Sequence, residues 1–455
     1  MASSPLPPSG FRDFLPQDCL LRGKTRDLIA RSYRSFGFWP ISTPAVENLS
    51  LLMGKGGGEN EKLIFKILKR GEELKDAAAG AEADLGLRYD LTVPLARYYA
   101  RHKGALPQPF KAYQIGPVWR AERAQKGRYR EFLQCDIDVI GSPDTASEIE
   151  VIQAAVKALS DLGLEGLTVL LNDRSLAIEL LKAAGVGPEL APKALVLIDK
   201  QDKMSPAEHS HRMRELLGEE AARAAGLAFS SLEGVKALAE ALPGAALEAL
   251  ERVLSVRQTL ASLHPSVQFE FKPSLVRGLD YYTGLVFEVR HPGLSSSLAG
   301  GGRYDGLIEK IVSAEGDSRT PAFGGSIGFE RLVLLLEERS SGNGAVSGPA
   351  PRPLSDRRDK GWEAPDVCVT VFSQELLGPS LELARELRGK GISVDLCPLS
   401  GRLKTQFKYA DFKSARYAAV LGPEERSAGR VKLKDLGTGA ETIETPSSLA
   451  ERLSR

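Results

Sequence analysis

Apolar positions near the start of the chain recur at helical spacing. Between residues 18 and 36, Leu21, Leu28, Ser32 and Phe36 fall on one face with Ile29 and Tyr33 beside them, and Gly37 ends the pattern. Residues 38–43 read as an extended segment that stops at Pro44. Short β-rich runs follow at 63–68, 86–91, 110–115, 118–120 and 132–140. Thr145-x-x-Glu148 matches a capping box, predicting a helix that Gly163 closes. Over 184–262 Ala, Leu, Glu and Lys dominate, and the pattern predicts several helices. β-rich sequence returns at 267–271 and 284–289, and a helix begins near Phe329. The strands flanking the helical block therefore predict one sheet interrupted by an insertion.

Residues 339–365 are rich in Gly, Ser and Pro, which is linker composition. A flexible linker predicts two units with independent cores. Beyond it, strands at 367–372, 392–396 and 417–421 alternate with helices at 376–390 and 403–412, predicting a small α/β domain with several parallel strands.

The chain has 455 residues, enough for about three domains. With 60 basic and 59 acidic residues, any basic surface must be local. Residues 402–434 supply one: Arg402, Lys404, Lys408, Lys413, Arg416, Arg426, Arg430, Lys432 and Lys434 stand against Asp411, Glu424 and Glu425, beside Phe407, Tyr409 and Phe412. Such a mixture of cations and rings suits RNA. Cys19, Cys135, Cys368 and Cys397 lie far apart without a CxxC pair, so free thiols in a reducing compartment are expected. The first ten residues lack an apolar signal core, and apolar runs reach only about five residues. A cytoplasmic protein with no membrane span is the expectation.

Apparent nucleotide and metal signals fail on inspection. Gly23-Lys24-Thr25 lies inside the first helical pattern, Gly56-Gly57-Gly58 lacks dinucleotide-loop spacing, and His209 and His211 would point to nearly opposite sides of a helix. Four other segments carry chemistry. Residues 116–141 form a strand, a loop with Arg120, Arg123, Lys126, Arg128 and Arg130, and a second strand opened by Phe132. Guanidinium forks match phosphate oxygens, and a ring can lie under a base. Residues 275–284 gather Arg277, Asp280, Tyr281 and Tyr282, polar groups costly to bury unless paired. Residues 298–307 place three glycines before Arg303-Tyr304-Asp305. Residues 324–332 place glycines before Glu330-Arg331 at the start of an apolar helix.

In this order and spacing the segments resemble the histidyl-tRNA synthetase family of class II aminoacyl-tRNA synthetases. Gly10-Phe11-Arg12-Asp13-Phe14-Leu15-Pro16 resembles the family's N-terminal segment, and the 18–36 helix with Pro44 its dimerisation motif 1. Residues 87–94 resemble the amino-acid-binding strand, 116–141 motif 2, 324–332 motif 3, and 277–284 and 299–307 the two histidine signatures. The resemblance implies an α+β catalytic domain on a mostly antiparallel sheet, covering 1–183 and 263–338. It also implies an α-helical insertion at 184–262, a linker at 339–365 and a C-terminal α/β anticodon-binding domain at 366–455.

It implies a reaction in which histidine and ATP form histidyl-adenylate and the histidyl group passes to the 3′ end of tRNA(His). Arg277 and Arg120 would be catalytic, with Arg277 lying across the reacting groups. Arg120, Arg128, Phe132 and Arg331 would bind ATP, with Phe132 and Arg331 flanking adenine. Asp90, Thr92 and Gln134 would meet the α-ammonium of L-histidine. Asp138 and Tyr282 would meet its imidazole, and Tyr281 and Tyr304 would wall the pocket. Arg402, Lys404, Lys408 and Lys432 would contact tRNA. Magnesium would accompany ATP with no protein-held metal, and the chain would form a homodimer. Ala124 in place of a frequent proline and Gly439-Ala440-Glu441 in place of a glutamine depart from the family pattern. The alternative is an inactive histidine-sensing paralogue of the regulatory-subunit type. Such proteins usually lack the anticodon domain and erode motifs 2 and 3, both kept here.

Overall fold

A computed structural model of the chain describes residues 5–53, 59–71, 83–123, 127–201, 204–238, 242–276, 281–312, 319–340, 365–400, 402–413 and 415–453. The 56–58 glycines, Lys126, residues 277–280 with Arg277, and most of the 339–365 linker lie outside them.

The strands are β1 (Trp39–Pro40), β2 (Val46–Asn48), β3 (Lys66–Leu68), β4 (Ala83–Leu87), β5 (Phe110–Trp119), β6 (Glu131–Ile140), β7 (Thr168–Asp173), β8 (Gln268–Phe271), β9 (Leu285–Arg290), β10 (Ala299–Arg303), β11 (Ala322–Gly328), β12 (Val367–Val371), β13 (Val394–Ser400), β14 (Tyr417–Val420), β15 (Val431–Asp435) and β16 (Glu441–Glu444). Eight form one sheet in the order β1-β5-β6-β11-β10-β9-β7-β8. Its pairs are antiparallel except the two at the edges, β1 with β5 and β7 with β8. A mostly antiparallel sheet with a separate C-terminal sheet is the architecture that the family resemblance implies. The Thr145–Asp161 helix buries most of its length against this sheet, beside the Pro16–Ser35 helix.

Local sequence and tertiary structure part company at three places. The runs at 110–115 and 118–120 are one ten-residue strand. β1 pairs only with Ala112 and Tyr113. Beyond Tyr113 β5 is an edge strand, where Pro117 has no outer ladder bond to lose. The run at 86–91 ends as a strand at Leu87, and the Thr92–His102 helix opens with Pro94 in its first turn, where a missing N–H costs nothing. The capping box does not form: Glu148 turns inward, fully buried, and pairs with Arg303 Nε at 2.8 Å. A buried carboxylate facing a guanidinium outweighs an exposed cap bond.

Between β7 and β8 run the helices Arg174–Ala183, Ala191–Asp199, Pro206–Leu217, Glu219–Ala228, Leu232–Ala237 and Gly244–Leu263. They enclose a second apolar core, which includes Leu180, Ala194, Val235 and Leu250. The Gly244–Leu263 helix serves both cores, because Val253, Val256 and Leu260 face the large sheet.

The C-terminal sheet runs β13-β12-β14-β15-β16, with β12, β13 and β14 parallel. Independent cores are not observed: one apolar cluster runs from Ile137 and Phe36 to Val369 and Leu387. A buried charge cluster lies within the junction. Lys111 of β5 donates to Asp395 at 2.5 Å and to Glu150 at 3.2 Å, all three side chains fully buried. Arg388 pairs with Glu150 at 3.2 Å and lies 3.8 Å over the Phe36 ring. Lys413 donates to Gly37 O and sits 3.8 Å from Asp395. Linker composition describes the connector and not the surfaces it joins.

Candidate active site

Side chains alternate across a strand, so Phe132, Gln134, Asp136 and Asp138 of β6 share one face. All four line a cavity of about 340 Å³. The adjacent β11 sets Gly324 opposite Asp138 and Gly328 opposite Gln134. A Cβ on Gly324 would fall 1.8 Å from Asp138 Oδ1, so glycine is what leaves that carboxylate its place.

Tyr304, at the end of β10, donates its hydroxyl to Asp138 Oδ1 at 2.6 Å. Burial pushes the Asp138 carboxyl up to about 7, against the lowering effect of that bond. Tyr281 and Tyr282 stand beside it, their rings 4.8 Å apart at the centroids and that of Tyr281 6.2 Å from that of Tyr304. Asp136 is pushed up as well, by burial first and by Asp138 second. Gln134 Nε2 lies 3.4 Å from Asp136 Oδ1, which leaves Gln134 Oε1 buried without a partner among the described residues.

Asp90 does not line the cavity; it is buried and caps the Thr92–His102 helix, accepting from Val93 N at 3.1 Å. Burial raises it to about 6, while Val93 and Arg120 work the other way. Thr92 lines the cavity itself. Arg120 Nε donates to Tyr89 O at 3.0 Å, and its guanidinium lies 5.0 Å from the Phe132 ring. Arg128 and Arg331 also line the cavity, and Arg331 Nη1 is held by Ser297 O at 2.6 Å. The structure thus brings together Arg120, Arg128, Phe132, Gln134, Asp138, Tyr281, Tyr282, Tyr304, Arg331 and Thr92, while Asp90 stays outside the lining and acts on Arg120 and Asp138 through its charge.

A family model described as histidyl-tRNA synthetase matches residues 10–332, more than half of the chain. The chain belongs to the histidyl-tRNA synthetase family. A second model, described as an anticodon-binding domain, matches residues 366–454. Among curated relatives, the histidine–tRNA ligase of Leifsonia xyli subsp. xyli is 43% identical over 74% of this chain and 81% of its own length. That of Christiangramia forsetii is 35% identical over 97% of both chains. The crystal structure of histidyl-tRNA synthetase from Nostoc sp. PCC 7120 is 26% identical and covers 100% of both chains with a TM-score of 0.62.

Several cavity residues of this synthetase-family chain escaped the sequence reading. Asp136 sits at period two between Gln134 and Asp138, so strand alternation alone sets it on their face. Glu122 and Ser297 carry no local signal, and Glu330 falls in the 324–332 segment without a role of its own.

In the tail, Arg402, Lys404, Lys408, Arg416, Arg426 and Arg430 are exposed, and Lys432 is half-buried beside Glu425 at 3.5 Å. Lys413 and Tyr409 are buried. Tyr409 donates to Asp395 at 3.0 Å, so neither side chain is free to meet RNA. No described helix is long and apolar enough to cross a membrane.

Proposed function

We propose that the chain joins L-histidine to the 3′ end of tRNA(His) through histidyl-adenylate, acting as a cytoplasmic homodimer. The observation that carries this reading is the Asp138–Tyr304 pair beside Tyr282 in one cavity with Arg120, Arg128 and Arg331. Neutral imidazole has one N–H and one bare nitrogen. Asp138, with one oxygen engaged by Tyr304, accepts the N–H, and the Tyr282 hydroxyl donates to the bare nitrogen. Asp90, Thr92 and Gln134 Oε1, which has no partner among the described residues, receive the α-ammonium, and Tyr281 closes the wall. An isosteric apolar amino acid leaves both imidazole partners unsatisfied and is rejected.

In the first step a histidine carboxylate oxygen attacks the α-phosphorus and pyrophosphate leaves. In the second the tRNA 3′-hydroxyl attacks the carbonyl carbon and AMP leaves. Negative charge accumulates on phosphate oxygens, so positioned cations carry the catalysis. Arg120 reaches the carboxylate and α-phosphate, Arg128 and Arg331 the β- and γ-phosphates. Adenine lies between Phe132 and Arg331. Arg277, which the family resemblance makes catalytic, lies outside the described residues. Magnesium arrives as the counter-ion of ATP, part of that substrate. On the C-terminal domain, Arg402, Lys404, Lys408 and Lys432 meet the tRNA backbone.

The direct test is ATP–pyrophosphate exchange with each amino acid in turn. Exchange is expected with histidine alone. Exchange with no amino acid would favour the inactive paralogue, and exchange with another would overturn the pocket reading.

The raised carboxyls predict a proton signature. Asp90 and Asp138 titrate at about 6 and about 7 in the folded protein, above an ordinary carboxyl. The ligand-free folded chain therefore holds protons that the unfolded chain has lost. The stability these two carboxyls contribute is lost as pH rises from about 4 to about 7. Histidine, bringing a cation, displaces those protons. Calorimetric titration at pH 7 in buffers of different ionisation enthalpy should show net proton release, reduced in Asp138→Asn. Equal release by both proteins would remove Asp138 from imidazole binding.

A further inference from the structure

The N-terminal segment has so far only a resemblance and no duty, yet it makes dense contacts beside the ATP side of the cavity. Gly10 adopts φ +86°, and a Cβ there would meet Arg130 Cγ at 2.8 Å. This close approach lets Gly10 O accept from Arg130 N at 2.9 Å, while Arg130 Nη1 donates to Ser9 O at 3.2 Å and Nε to Glu122 O at 3.1 Å. Arg130 O in turn accepts from Arg120 N at 2.8 Å, closing the base of the basic loop. Residues 9–10 therefore clasp the loop between β5 and β6 where it begins and ends.

Two residues on, the Arg12 guanidinium lies 3.2 Å from the centre of the Tyr129 ring, next to Arg128. Arg12 also donates to Glu330. Arg22, from the first helix, forks onto the same carboxylate at 2.7 and 2.8 Å, with its guanidinium 4.0 Å from the Phe14 ring. Glu330 Oε1 additionally accepts from Leu133 N at 3.3 Å. Burial alone would raise this carboxyl, but Arg22 and then Arg12 hold it below the usual range. Glu330 precedes Arg331 and Leu133 follows Phe132, so one buried carboxylate ties together the backbones that carry both proposed adenine partners.

We propose that Arg12 is a positioning residue of the ATP site. It seats the basic loop through Tyr129 and, with Arg22, fixes Glu330 so that Phe132 and Arg331 face the base. A planar, always-charged fork suits both duties at once, stacking on a ring while donating to a carboxylate. This inference rests on the assignment of ATP to the cavity, and the experiment separates the two. Exchange is measured on the full-length chain and on Arg12→Ala, Arg12→Lys and Tyr129→Ala, varying ATP and histidine separately. If the unaltered protein shows no histidine-dependent exchange, the functional reading itself fails. If it does, Arg12→Ala should raise the KM for ATP at least tenfold and that for histidine less than twofold. Arg12→Lys, which keeps charge near Glu330 but loses the flat stack, should recover part of the difference. Tyr129→Ala approaches the same contact from the cavity side and should show the same ATP-selective loss even if Arg12→Ala fails to fold. An unchanged ATP KM in either alanine variant, or parallel increases for both substrates, would overturn the positioning role.

Discussion

Arg120→Ala is expected to lose about 10²–10³-fold in the rate of adenylate formation, the scale of removing one well-placed donor from a developing oxyanion. The argument begins with how little freedom this side chain has. Its Nε is committed to Tyr89 O at 3.0 Å, which turns the remaining guanidinium N–H groups toward the cavity. It is also the cation that lowers Asp90 against the effect of burial. Removing it takes one positioned cation from the developing charge and lets Asp90 titrate higher, so histidine affinity falls as well, by a smaller factor. Arg120→Lys is not expected to rescue, because an ammonium cannot bond Tyr89 O and two substrate oxygens in one plane. Single-turnover formation of adenylate at saturating ATP and histidine checks this. A rate within tenfold of the unaltered protein would remove Arg120 from the chemistry.

How much of this site could be read beforehand depended on where each partner lies in the chain. Gln134 and Asp138 stand at strand spacing, and Tyr281, Tyr282 and Tyr304 sit in compact signatures that the family resemblance covers. The cavity brings these together from segments far apart. Asp136 obeys the same alternation as its neighbours and was legible in principle. Glu330 was not, because its partners Arg12 and Arg22 lie more than 300 residues away. The same distance effect misdirected local rules. Thr145 and Glu148 satisfy a capping pattern, yet Arg303 takes the carboxylate. Charge counting placed Lys413 on an RNA-facing surface because a count of cations contains no information on burial. Many strand positions followed from β-rich runs and turn residues, whereas the order of the strands in the sheet and the side chains that close long-range contacts needed coordinates.

Lys413 leads to the second large effect. Removal of everything after Glu338 should not leave a folded catalytic unit, contrary to what the Gly/Ser/Pro linker leads one to expect. The cut takes away Arg388, Asp395 and Lys413, so Lys111 loses Asp395 and Glu150 loses Arg388, and the two keep only each other at a newly uncovered face. It also strips the apolar cover from the core around Phe36 and Ile137. A narrower test keeps the full chain. Asp395→Ala leaves three cations, Lys111, Arg388 and Lys413, facing Glu150 alone, and removing one partner of a buried pair costs about 3–5 kcal/mol. Lys413 is already pushed down to about 7 by burial, with Asp395 opposing that fall. Without Asp395 it goes neutral more readily, which relieves part of the repulsion but not the loss of packing or of the Lys111 bond. Lys111→Met in the same background removes the stranded charge, so the double variant should be more stable than the sum of the single losses by about 1–3 kcal/mol. Urea unfolding of the four proteins measures this coupling, and thermal unfolding of the truncated chain measures the larger effect. Strict additivity would show that Lys111 and Asp395 do not depend on each other. A cooperative transition in the truncated chain, with histidine-dependent exchange intact, would show that the catalytic sheet is complete without its C-terminal neighbour.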